Sequence, residues 1–196
     1  GSSTGAGGGN VTFEGGSVYG GNNAFGSPTG TATVRIYQTA HTPTDSANYV
    51  LTAPTNLTYA IGNVFGGGNA AEFTGAGGSY VYVYGCDNTI QKVVGGGNAA
   101  ATKSVHTMIE GGRFDQVFGG GNGYLSDDKP ANVNGDVELE IHGGTIGQVF
   151  SAGNDLGSIS GNITLNINKT TCDMYIGEVY GGGNMAESKA AGITIG

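Results

Sequence analysis

Few side chains in this 196-residue sequence have the chemistry for acid–base, nucleophilic or metal work, and they are scattered. The three histidines, His41, His106 and His142, occupy unrelated settings: an insertion, a strand and the end of a strand. Cleaving a polysaccharide needs clustered carboxylates with a basic residue close by. The one adjacent acidic pair lies in "SDD", Ser126 to Asp128, within "GYLSDDKPAN", which reads as a solvated turn. Arg35 and Arg113 are the only arginines. Glu138 and Glu140 alternate with Val137, Leu139 and Ile141, so they share the solvent face of one strand and are assigned to solubility. The glycine runs lack the following lysine of a phosphate-binding loop. They also lack the aspartate of calcium-binding nonapeptides, except near Asp155. No catalytic residue, cofactor site or metal site emerges.

What repeats is structural. "VFGGGNAA" from Val64 returns as "VYGGNNA" from Val18, "VVGGGNAA" from Val93, "VFGGGNG" from Val117, "VFSAGND" from Val149 and "VYGGGNMA" from Val179. With "GGGN" at Gly7 to Asn10, the asparagine anchors are Asn10, Asn22, Asn69, Asn98, Asn122, Asn154 and Asn184. The clearest unit, Gly135 to Asn154, runs from an alternating strand through a "GG" turn to Ile146 and Val149, and closes on the glycine motif. Similar units span Val105 to Asn122 and Ile163 to Asn184. One unit buries too little apolar surface to fold alone, whereas stacked units share a core. No segment carries a helical period. The expected fold is all-β: a parallel β-helix, or β-solenoid, of about six to seven coils of roughly 24–32 residues. It forms one domain over residues 1–196, with an insertion at about 38–60. A β-propeller fits less well, because its blades of about 40–45 residues are longer.

The pattern assigns roles within a coil. Glycine suits a corner that needs positive φ, and coils about 4.8 Å apart leave little room for side chains there. Stacked asparagines can pair their amides along the rod. Tyr19, Phe65, Phe118, Phe150 and Tyr180 share a slot, with Val94 the exception, and are assigned to an internal aromatic stack. Cys86 and Cys172 begin "CDNTIQKV" and "CDMYIGEV" and so share a slot three units apart. Three rungs are roughly 14 Å, beyond the roughly 7 Å a disulfide spans. Two free thiols are therefore expected.

Only 11% of residues are charged, and the net charge is −8 with seven Lys and Arg. A chain so poor in cations is not expected to bind nucleic acid. No apolar run approaches the ~20 residues of a membrane helix. The opening "GSSTGAGGGN" reads as a trimmed start, compatible with a signal peptide upstream. Neither end carries a recognisable polar cap, which suggests a segment of a longer array. Specificity is expected in the loops that leave one edge of the rod, with Tyr49, Tyr59 and Tyr124 as candidate ligand-binding residues.

The reiterated "V[FY]GGGN", at Gly66 to Asn69, Gly119 to Asn122 and Gly181 to Asn184, with its "GG" turns, resembles the glycine-rich repeats of large adhesin-like surface proteins of gut Bacteroidetes-type bacteria. The resemblance implies a β-helical fold, export and a surface role, and carries no catalytic residue with it. "DSA" at Asp45 to Ala47 is similar to the O-glycosylation signal of such bacteria, with Ser46 as acceptor. The N-x-T matches at Asn10, Asn56, Asn162 and Asn168 have little weight in a bacterial protein. The functional expectation is a non-catalytic, extracellular or cell-surface module that binds glycans or host surface proteins or acts as a spacer. It is expected as a monomer, or weakly self-associating through its ends. The alternative is a carbohydrate-active β-helical enzyme, a polysaccharide lyase or hydrolase.

Overall fold

The computed structural model describes residues 15–39 and 59–196. Tyr49, Ser46, His41 and most of the expected insertion lie outside the described residues, as do Asn10 and Asn56. Among the described residues there are twelve strands and no helix. In chain order the strands are β1 (Ser17–Tyr19), β2 (Ala32–Ile36), β3 (Ile61–Phe65), β4 (Ser79–Val83), β5 (Ile90–Val94) and β6 (Val105–Ile109). There follow β7 (Arg113–Phe118), β8 (Val137–Ile141), β9 (Gly144–Phe150), β10 (Ile163–Ile167), β11 (Met174–Tyr180) and β12 (Ile193–Ile195). Odd strands form one six-stranded sheet and even strands the other. Every pairing within them is parallel. The fold is a parallel β-solenoid. About four turns are complete (β3–β4, β5–β6, β7–β8 and β9–β10), with a partial rung on either side.

Register follows the repeats. Val64, Val93, Val117, Val149 and Val179 occupy one column of the odd sheet. In the even sheet Val83, Ile109, Ile141 and Ile167 do the same. Alternation in the even strands sends Val81, Val83, Leu139 and Ile141 inward at 0% exposure, where they meet Val64, Val93, Val117 and Val149 of the odd sheet. A one-residue slip of an even strand would turn its inward side chains to solvent, so the in-register stack is strongly specified there.

The asparagine anchors form a continuous ladder. Each side-chain amide donates to the carboxamide oxygen of the previous rung: Asn69 to Asn23 (2.8 Å), Asn98 to Asn69 (2.7 Å) and Asn122 to Asn98 (2.9 Å). Asn154 then donates to Asn122 (2.8 Å) and Asn184 to Asn154 (3.1 Å). The lowest described member is Asn23 rather than Asn22, which caps its own turn by donating to the Phe25 carbonyl. Beside the ladder the aromatic slot is internal. Phe65, Val94, Phe118 and Phe150 are buried as a second apolar cluster, with Phe118 and Phe150 stacked at 4.9 Å. Tyr180 continues the stack at the end, 4.8 Å from Phe150.

The corner glycines have two different causes. Among the described residues no glycine of a "GGGN" run has positive φ; inside the stack those glycines are needed because the coils nearly touch. A Cβ on Gly120 would lie 2.8 Å from the Gly153 nitrogen, and one on Gly66 would strike the Gly95 carbonyl. The conformational requirement falls instead on the "GG" turns, where Gly112 (φ 119°) and Gly144 (φ 109°) adopt backbones that side chains disfavour.

The expectation of free thiols is overturned. Cys86 and Cys172 form a disulfide with Cα atoms 5.6 Å apart, although their strands are three rungs apart as the repeats require. Equivalent slots stack vertically only where the chain is regular strand, and both cysteines sit in loops. The two intervening corners are the short turns "EGGR" and "HGGT". A Cβ on Gly111 would collide with Cys172 Sγ, and one on Gly143 would come within 2.8 Å of Cys172 Cβ. Two bare glycines thus leave a trough along the edge, and the longer flanking loops close over it.

Candidate functional site

The outer face of the odd sheet is a polar column: Ser17, Asn63, Lys92, Gln116, Gln148 and Glu178 stand one above another. Neighbours in it share side-chain hydrogen bonds. Asn63 donates to Ser17 (3.2 Å), Gln116 to Gln148 (3.0 Å) and Gln148 to Glu178 (2.7 Å). The Gln148 and Tyr180 donors hold the Glu178 carboxyl below its ordinary range. Lys92 interrupts the series. Its ammonium is 5.7 Å from the centre of the Phe118 ring, and partial burial pushes its pKa down, opposed by nearby Asp155.

Two open grooves meet at Lys92. One, of about 540 Å³, is lined by Asn63, Gln91, Lys92, Asp115, Gln116, Gly147 and Gln148. The other, of about 270 Å³, includes Lys92, Asn98, Asn122, Tyr124, Asn154 and Asp155. Of the tyrosines singled out in the sequence, Tyr124 lines the smaller groove and Tyr59 bonds to Asp115 of the larger one. Tyr59 donates to Asp115 Oδ1 beneath the Arg113 guanidinium, which lies 4.9 Å from its ring; burial, then Asp115, raises its hydroxyl pKa. Tyr124 donates to Asn98 Oδ1 at 2.9 Å and leaves 37% of its surface exposed.

The outer face of the even sheet is different in kind. In "SYVYVYG" the inward valines, Val81 and Val83, alternate with Tyr80, Tyr82 and Tyr84, all on the solvent side. Tyr80 and Tyr82 lie 6.1 Å apart, Tyr82 and Tyr84 5.9 Å, and Tyr37 stacks on Tyr84 at 5.1 Å. His106, on the next rung beside Tyr80, is within 5.8 Å of both the Tyr80 and Tyr82 ring centres. Arg35 caps Tyr82 from the rung below, 5.5 Å from its centre. Burial, followed by the neighbouring Tyr80, raises the Tyr82 pKa. Beyond the rings are carboxylates: His106 Nδ1 is 2.9 Å from Glu138 Oε2, and His142 Nε2 is 3.3 Å from Glu140 Oε2.

His106, in β6, and His142, just past the end of β8, keep the different slots read from the sequence, yet each contacts one member of a pair of glutamates. Glu138 and Glu140 lie on the solvent side of β8, as expected, and stand beside the aromatic surface. The tyrosines themselves had a legible signal, strict Tyr–Val alternation at 80–84, which the glycine repeats overshadowed. Chemically the face offers flat rings for apolar ring faces, with Arg35, His106 and the carboxylates beside them to hydrogen-bond hydroxyl groups.

Compared with family models, curated proteins and solved structures, the chain matches none. The fold defines its class, the parallel β-solenoids.

Proposed function

We propose that this chain is a non-catalytic, adhesin-like module of an exported bacterial surface protein, and that it binds glycans through the outer face of its even sheet. The observation that carries this reading is the run of Tyr80, Tyr82, Tyr84 and Tyr37 on a solvent-side surface, flanked by Arg35 and His106. A solenoid needs nothing aromatic there to fold. Farther along the same columns stand Glu138, Glu140, Thr164 and Asn166. A contiguous aromatic surface ringed by polar groups marks an interaction site, and stacked rings match the apolar faces of sugars. Export is supported by the Cys86–Cys172 disulfide, since such bonds persist in oxidising compartments. It is also supported by the resemblance of the repeats to adhesin-like proteins. In that reading the observed turns belong to an array of about six to seven coils within a longer protein, and the grooves around Lys92 offer a second, more polar contact. One observation favours the alternative of a polysaccharide-cleaving enzyme: the paired Glu138 and Glu140 beside His106. Among the described residues the Glu138 and Glu140 side chains stay 47% and 28% exposed, so they are not shielded from water as a reacting group would need. Affinity electrophoresis through polysaccharide gels, run beside an assay for released oligosaccharides, separates the two. Retardation without release supports the module, and release that is lost in Glu140→Gln overturns it.

A further inference from the structure

We propose that His106, Glu138 and Glu140 form a binding site for a divalent transition-metal ion, with Zn²⁺ the best match. This does not depend on the glycan reading. The three side chains come together because parallel rungs are in register: His106 of β6 stands directly beside Glu138 of β8, and Glu140 is two residues further along the same face. One nitrogen and two carboxylate oxygens, one from each residue, all lie within 4.8 Å of one another. Around a tetrahedral ion with bonds of about 2.0–2.2 Å the donors must draw somewhat closer. Rotation about the glutamate side-chain bonds is enough for that.

Three features set the cluster apart from an ordinary acidic surface. Its first donor is an imidazole held by the rings of Tyr80 and Tyr82, 5.6 and 5.8 Å away. Glu140 is braced from its far side by His142, whose own Nδ1 is 3.3 Å from Thr170 Oγ1. Such supporting contacts orient metal ligands. Finally, among the described residues neither glutamate pairs with a lysine or arginine, so two adjacent carboxylates share only histidines as ionic partners. A dication between them removes that repulsion. The imidazole donor favours zinc over calcium or magnesium, which take all-oxygen shells. Three protein ligands leave a coordination position open to solvent.

The test is calorimetric titration of the full, disulfide-intact chain with zinc chloride. His106→Asn and Glu140→Gln are titrated in parallel, after circular dichroism shows both variants folded. One equivalent per chain at micromolar affinity, weakened by about tenfold or more in each variant, is expected. The absence of saturable binding, or binding of equal strength in the wild type and both variants, would overturn the proposal.

Discussion

Reducing the Cys86–Cys172 bridge should cost this protein a large part of its stability. The bridge joins residues 86 apart in the chain, so it restrains three successive turns in the unfolded state. Chain-entropy arithmetic for a loop of that length gives about 4–5 kcal/mol. In a protein of this size each kcal/mol moves the melting temperature by about 2–4 °C. Full reduction should therefore lower it by roughly 8–20 °C. The trough that admits the bridge supplies a second perturbation. A Cβ on Gly111 would collide with Cys172 Sγ, so Gly111→Ala should hinder closure and leave reactive thiol. The assay is thermal unfolding followed by circular dichroism, with and without reductant, alongside thiol titration in denaturant and peptide mapping by mass spectrometry. Two titratable thiols in unfolded, unreduced wild-type protein would refute this reasoning. So would an unchanged melting temperature after reduction has been verified.

Further substitutions probe the stack. Asn122→Ala removes one amide bond given to Asn98 and one received from Asn154 at a buried rung. It should cost about 2–4 kcal/mol in denaturant unfolding, while Asn184→Ala at the exposed end, with one ladder bond, should cost under about 1 kcal/mol. Gly120→Val should destabilise by several times the ~1 kcal/mol of an ordinary substitution, because the backbone of Ala152 and Gly153 lies against that position. Exposed Lys103→Gln should stay within about 0.5 kcal/mol of wild type. Lys92→Gln replaces a partly buried ammonium by an amide that fits its column, so it should melt higher than wild type at neutral pH. The lysine's folded-state pKa is depressed, so its penalty is present in full below that value and lifts as pH rises through it toward 10.5. The gap between the two proteins should close by about pH 11; a constant gap across that range would exclude burial of charge as the cause.

The periodic part of this protein was readable because its physics is local and repeats. Alternation at Val137–Ile141 fixes which face is buried, and the recurring asparagine fixes which residues stack. The ladder and the internal aromatic cluster follow from those two facts. The glycine motif was correctly placed, but its cause was mixed: close approach governs Gly66 and Gly120, whereas positive φ governs Gly112 and Gly144. The disulfide was not legible, because slot arithmetic holds for strands and fails for loops free to lean across bare glycines. The even-sheet face was hidden for another reason. Tyr80, Tyr82, His106, Glu138 and Glu140 come from three rungs offset by 26 and 32 residues, and their proximity appears only once those rungs are in register.

The central claim is that the tyrosine face of the even sheet holds a glycan, and a glycan microarray tests it most directly. Wild-type protein should bind a defined subset of sugars, and Tyr82→Ser should lose that binding while keeping its fold. Tyr175→Ser, which removes a tyrosine 69% exposed on the odd sheet, should bind as wild type does. Wild-type protein that binds no glycan, or Tyr82→Ser that binds undiminished, would contradict the claim.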